Sequence, residues 1–430
     1  MTEPVYFLTL EIENYRCFKD KQVLDLSDGN GKWKKWTVIL GDNGMGKTSI
    51  LELLASAETE ERLIEETGEI QYGPTHRFLH PQPPQSFGTS SGSFTIGVNI
   101  FYSKSGNKFE ELIKVSFRNH TKEIGLHKDS RLKELKCFGY GANRKMGISS
   151  LANSIELSSE SLFDDDSRLV NAEEWLLQLD YAASKDSDLK NFATNKRNQV
   201  RQILIDLLPD IKDIRFTNPT RKNLKSSVEF ETPFGWINIH QLSLGYKTMV
   251  AWMVDLAARM FGRYPDSNNP LAEPAIVLVD EIDLHLHPKW QRKIFDYLSN
   301  KFPKTQFIVT AHSPLIVQSA PKDANIVLLR KENDHVVIDN DRSSVHNWRL
   351  DQILTSDLFG LDSARGIDVE KKLEERKKLL AKKTLSNEEE KKLEDLNSFV
   401  NQLPVAYNHE DIQAMNIIQE AAEYLKTKKQ

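Results

Sequence analysis

Apolar and polar residues alternate at the start of the chain: Phe7, Leu8, Leu10 and Ile12 are interrupted by Thr9, Glu11 and Glu13. That period predicts a strand. The next apolar run, residues 36–40, leads directly into a glycine-rich loop, and Leu51-Glu-Leu-Leu-Ala55 follows at helical spacing. The order is strand, loop, helix. Residues 57–95 are rich in Pro, Gly and Ser and read as a mobile excursion. Strands return at 94–101 and 111–117, around a turn at 105–107, as an antiparallel hairpin.

From about 158 to 216 the pattern is helical. Asn171-Ala-Glu-Glu174 has the spacing of a capping box ahead of WLLQLDYAA. Residues 198–208 form a second amphipathic run, ended by Pro209. A second hairpin, SSVEFE–TPFG–WINIH, leads into a helix from Lys247 to Met260. Residues 275–279 and 306–310 are apolar almost throughout, as in strands buried on both faces of a parallel sheet. Between them Pro288 suits the first turn of a helix carrying Trp290, Ile294, Phe295 and Leu298. After 366 the chain is highly charged. Leu373, Leu379 and Leu380 belong to one helix, and Ser386-Asn-Glu-Glu389 caps another bearing Leu393, Leu396, Phe399 and Val400. The segments to expect are thus 1–157, 158–230, 231–345 and a helical tail at 346–430.

The chain has 430 residues, 39% hydrophobic and 28% charged, with a formal net charge of −5. This balance argues against a surface that grips nucleic acid or an anionic membrane everywhere, while leaving room for a local basic groove. Cys17 and Cys137 are the two cysteines and have no nearby metal-ligand pattern, which fits a reducing compartment. The N-terminus lacks the basic-then-apolar layout of a signal peptide. No window approaches the ~18 consecutive apolar residues of a membrane span. A cytoplasmic protein without a membrane partner is the expectation.

Gly41-Asp-Asn-Gly-Met-Gly-Lys47-Thr48 matches the full P-loop spacing, after a buried strand and before a helix. Glycines let successive N–H groups turn inward onto phosphate oxygens, backed by the helix dipole. Asn43, Gly44, Gly46, Lys47, Thr48 and Ser49 are the candidate nucleotide contacts. Lys47 supplies a mobile charge for the β/γ-phosphates of ATP, and Thr48 a hydroxyl for Mg²⁺. Asp280 and Glu281 end the apolar strand 275–279, at the rim where α/β sheets bind ligands. Asp280 is expected at the metal, and Glu281 at a water aimed at the γ-phosphate. His312 ends the next strand and reaches the same rim as a second catalytic candidate. His285 and His287 lie in a loop with no third ligand nearby.

P-loop, Leu242-Ser-Leu-Gly245, Asp280-Glu281 and His312 occur in the order of ABC-type ATPases, and the chain resembles their RecF/SMC-like branch. Its LSLG is similar to that family's LSGG, with Leu244 where glycine is usual. The resemblance implies a P-loop NTPase fold of α/β class: an ABC-type head with a mixed sheet, an antiparallel β subdomain and helical insertions. It also implies that Ser243 and Gly245 act in trans, capping ATP held by a second copy, and that Asp283 lies where two heads meet. Ile12-Glu-Asn-Tyr-Arg-Cys-Phe18 resembles the opening of these heads, which makes Arg16 a nucleotide-contact candidate. Residues 138–144, FGYGANR, resemble a segment leading to the pocket.

Length, the 280–288 block and residues 354–361 look like stand-alone ATPases of anti-phage systems of the Septu and PARIS type. By that resemblance the protein is a Mg²⁺-dependent ATPase that controls a partner, expected to be a nuclease from a neighbouring gene. DNA or a phage component is a further possible ligand. No Toprim or HNH pattern is visible, and Asp339 and Asp341 read as a turn. The alternative is a DNA-binding repair ATPase, using Arg144-Lys145 and Arg221–Lys225 against phosphates; salt-dependent binding would mark it.

Overall fold

A computed structural model of the chain describes residues 4–63, 70–74, 94–104, 107–118, 121–124, 134–147, 158–219, 221, 224–340, 345, 347–382 and 385–403. The chain divides into two compact units, Met1–Phe359 and Gly360–Gln430. Most of the Pro/Gly/Ser-rich stretch between 64 and 93, the tip of the 105–107 turn and Asp341 lie outside the described residues.

The first unit is built on a six-stranded sheet. Its order is His335–Asp339, Asn325–Glu332, Trp36–Leu40, Thr305–Thr310, Ala275–Val279 and Cys137–Tyr140. Five of these strands run parallel; His335–Asp339 is antiparallel to its neighbour. Because successive side chains point to opposite faces, each central strand feeds two cores. Trp36, Val38, Val277, Val279, Phe307 and Val309 pack with helix Leu244–Arg263 on one side. Ile39, Ile276, Leu278 and Ile308 pack on the other with helix Lys47–Ala55 and strand Val5–Glu13. Covered twice, these strands carry no polar alternation.

Strand Val5–Glu13 belongs to a second, five-stranded antiparallel sheet ordered Gln22–Asp25, Val5–Glu13, Phe94–Lys104, Asn107–Arg118 and Thr121–Ile124. Among the ties between this sheet and the first, one is wholly buried. Gln306 is fully buried, and its amide accepts from the backbone N–H of Phe7 and donates to the Phe7 carbonyl, each at 2.9 Å. Helices Ala172–Ser184 and Lys190–Leu207 form a helical lobe, and Asn171 caps the first by accepting from the Glu174 N–H.

Two readings change. Asp213–Thr217 is a strand, not part of a helix: Asp210 adopts φ 62° after Pro209, and the chain turns to pair with Ser227–Thr232. The helix expected after Pro288 breaks into Pro288–Gln291 and Ile294–Lys301, although Trp290, Ile294, Phe295 and Leu298 are all buried as the spacing required. In the second unit, helices Ile367–Leu380 and Asn387–Asn401 pair through Leu379, Leu396 and an Arg376–Asn397 hydrogen bond of 2.6 Å. Ser386 and Glu389 complete the expected capping box.

Replacing Gln306 by Leu leaves both polar groups of Phe7 without their buried partner. We expect a loss of about 2 kcal/mol or more of stability, measured by urea denaturation; a midpoint unchanged from the parent would show that the tie is dispensable.

Candidate nucleotide-binding site

The loop between strand Trp36–Leu40 and helix Lys47–Ala55 needs three positive φ values, at Gly41, Gly44 and Gly46. Gly46 is doubly constrained, because a Cβ there would come within 2.6 Å of Cys17 Sγ. The loop opens onto a cleft of about 350 Å³. Asn43, Gly44, Gly46, Lys47, Thr48 and Ser49 line it together with Arg16, Asp280, Glu281 and His312. Every cis residue singled out from the sequence therefore reaches one cavity.

Lys47 is buried and its Nζ donates to the carbonyls of Gly41 and Asp42 at 2.8 and 2.9 Å. Burial lowers its pKa, and the nearby Asp280 and Glu281 carboxylates oppose the shift. The Asp280 carboxylate accepts from two hydroxyls, Thr48 Oγ1 at 2.7 Å and Thr310 Oγ1 at 2.5 Å. Thr310 Oγ1 in turn accepts from the Glu281 N–H at 2.7 Å. Glu281 has φ 48°, an uncommon conformation for a side-chain-bearing residue that its surroundings must hold. His312 Nε2 lies 3.8 Å from Glu281 Oε1. Arg16, also with positive φ, donates to Ser49 Oγ at 2.7 Å and to Glu52 Oε2 at 2.5 Å. It is thus both a half-exposed ion pair and part of the cleft wall.

Several functional-looking residues have partners within their own chain. Asp283 accepts from the His312 N–H through both oxygens at 3.2 Å. His287 caps the Pro288–Gln291 helix by accepting from the Lys289 N–H at Nδ1. Arg144, considered for DNA phosphates, is 5% exposed and donates to the carbonyls of Asp280 at 2.8 Å and Glu281 at 2.9 Å. It cannot meet a phosphate there. Burial draws its pKa down to about 10, against the pull of the three acids nearby, so it stays charged at neutral pH. Two further residues belong to the site: Thr310, through Asp280 and Glu281, and Cys17, which lines the cleft. A hydroxyl ending an otherwise apolar strand, opposite an acid pair, was the signal for Thr310.

Ser243 caps helix Leu244–Arg263, but loosely: its Oγ accepts from the Tyr246 N–H at 3.5 Å. Ser243 and Leu244 are exposed. Gly245 is required by its own chain, since a Cβ would sit 2.5 Å from the His285 carbonyl. Ser243 and Gly245 line a separate cleft of about 370 Å³ with Tyr246, His285 and Lys289. The two clefts share no lining residue.

The family described as "AAA domain, putative AbiEii toxin, Type IV TA system" matches residues 36–318, which run from the P-loop strand past His312. The chain belongs to this family. It resembles the Septu protein PtuA of Bacillus mycoides (strain KBAB4), with 28% identity over 82% of this chain and 44% of that protein. The Retron Vc95 probable ATPase of Vibrio cholerae serotype O1 biovar El Tor is 48% identical over 20% of this chain and 17% of its own length. The chain therefore spans less than half the length of either relative. The SMC head domain from Thermotoga maritima superposes with a TM-score of 0.39 at 13% identity, over 78% of this chain and 98% of that one. Family and architecture together make the first unit a P-loop AAA-family ATPase domain of α/β class.

Lys47→Ala removes the one flexible cation in the P-loop cradle while leaving the loop's glycines intact. Its affinity for ATP, followed by fluorescence of a labelled analogue, is expected to fall about tenfold or more.

Proposed function

We propose that the protein binds and hydrolyses Mg²⁺-ATP between two copies of its head and that this cycle controls a partner in anti-phage defence. The similarity to proteins named Septu PtuA and retron ATPase supports the biological setting. The observation that carries the two-headed reading is the separation of the clefts: Ser243 and Leu244 stand exposed at the head of a 20-residue helix, away from their own P-loop.

The donor set suits the cofactor. Thr48 and Asp280 bring hard oxygens within 2.7 Å of each other at the P-loop, the ligand type Mg²⁺ selects. When bound, the ion offsets charge developing on the transferred phosphoryl group. Lys47 and the loop N–H groups hold the β/γ-phosphates. Glu281 accepts the proton of the attacking water, and His312 orients that water or the γ-phosphate. Ser243 and the free N–H groups of its helix close the site from the second copy. Binding at such a seam stabilises the paired form by mass action, which lets nucleotide set the state of an effector. The effector we propose is a nuclease encoded nearby, with the charged helical hairpin at 367–401 as its docking surface.

Glu281→Gln is expected to lower turnover about a hundredfold while nucleotide stays bound, and unchanged phosphate release would remove Glu281 from its role. The seam has a sharper test. Lys47→Ala and Ser243→Arg chains should each be inactive alone, but their mixture contains pairs with one intact site. With random pairing by two-fold symmetry the mixture should recover about a quarter of parental activity. No recovery in a mixture shown to exchange subunits would place both motifs in a single chain's site.

A further inference from the structure

Arg144 is a buried cation that the nucleotide motifs leave without a task. The edge of its guanidinium holds the backbone of the acid pair, through Nη1 to the Asp280 carbonyl and Nη2 to the Glu281 carbonyl. Its Cζ lies over the Trp252 ring, 5.6 Å from the centroid. Trp252 is fully buried on helix Leu244–Arg263, the helix that Ser243 caps. One side chain therefore touches both the residue assigned to water activation and the helix assigned to the partner's nucleotide.

A second tie runs beside it. Tyr140, on the strand next to 275–279, donates its hydroxyl to Asp255 of the same helix at 3.0 Å, and its ring meets Trp252 edge-on at 5.9 Å. The Tyr140 carbonyl accepts from the Asp280 N–H at 2.8 Å. The segment between Tyr140 and Arg144 has little freedom, since a Cβ on Gly141 would lie 2.0 Å from the Ser161 carbonyl. Asp255 is itself fully buried and also accepts from the Val170 N–H and from Arg259.

We propose that Arg144 is a positioning residue that couples the Ser243 helix to Glu281, so that closure on the partner's triphosphate is passed to the hydrolytic carboxylate of the same chain. The inference rests on the roles given to Glu281 and Ser243 above. Its physical basis is the shape of the side chain. A planar guanidinium can grip two successive carbonyls with its edge and stack on an indole with its face, which an ammonium cannot do. The grip acts on a backbone already held at positive φ, where a small release re-aims the carboxylate. Coupling of this kind needs a double-mutant test rather than contiguity alone.

Full-length Arg144→Lys keeps the buried charge and one carbonyl contact, so it should fold where a neutral variant would not. In Arg144→Lys we expect kcat to fall about tenfold or more, with affinity for a labelled ATP analogue within about threefold of the parent. The double variant with Glu281→Gln should be no slower than Glu281→Gln alone, because Arg144 acts through that residue. Additive losses, or a fall in nucleotide affinity and melting temperature that matches the fall in kcat, would reduce Arg144 to a structural cation and overturn the proposal. Trp252→Leu tests the other end: lowered kcat with retained ATP affinity is expected, and an unchanged kcat would sever the link to the helix. Parental turnover in Glu281→Gln by itself would instead defeat the hydrolytic reading, and this inference with it, a pattern distinct from additivity.

Discussion

Asp280 is a nearly buried carboxylate, and the rest of the rim is arranged to satisfy it. Each oxygen receives a hydroxyl, one from Thr48 on the P-loop helix and one from Thr310 at the end of the neighbouring strand. An ionised group at such depth is tolerable only when its lone pairs are occupied and positive charge is near. Lys47 and Arg144 supply that charge. The requirement draws together helix 47–55, strands 275–279 and 305–310, and the segment after Tyr140. The P-loop, Asp280 and Glu281 share one address because a single buried carboxylate has to be satisfied.

The loop after the acid pair is set by a similar economy of polar groups. Asp283 faces the His312 backbone, while Gln291 donates to the carbonyls of Asp283 and Leu286 and accepts from the Ser313 hydroxyl at 2.5 Å. His285, at φ 63°, turns its carbonyl against Gly245. The approach to Ser243 is anchored separately. Glu173 of the helical lobe accepts from Asn238, from His240 and from the Val228 N–H. Helix Leu244–Arg263 is therefore held at its start by two elements of its own chain, yet Ser243 itself stays exposed. A glycine that looks reserved for a phosphate also has a local steric reason to be there.

Much of this was legible in the residues. The P-loop spacing, the acid pair after an apolar strand and the terminal-strand histidine mark the cleft, because phosphate chemistry tolerates few alternatives at those positions. The central strands were readable from unbroken apolarity, and helix 387–401 from its capping box. Strand 213–217 was not, since its assignment depends on pairing with residues ten to eighteen positions later. The break after Gln291 was hidden for a different reason: the apolar spacing is right on both sides of it.

The order of motifs along the chain determined by itself that this is a nucleotide-binding α/β head, since each motif encodes a local backbone conformation and a short-range chemistry. Tertiary structure decided which groups Arg144, Asp283 and Thr310 meet. Their roles depend on which buried carbonyl, amide or carboxylate lies opposite them, and those partners come from strands and loops distant in sequence. Only packing brings such groups out of water together, and only then does an arginine that could have met DNA become part of the scaffold beneath a carboxylate pair.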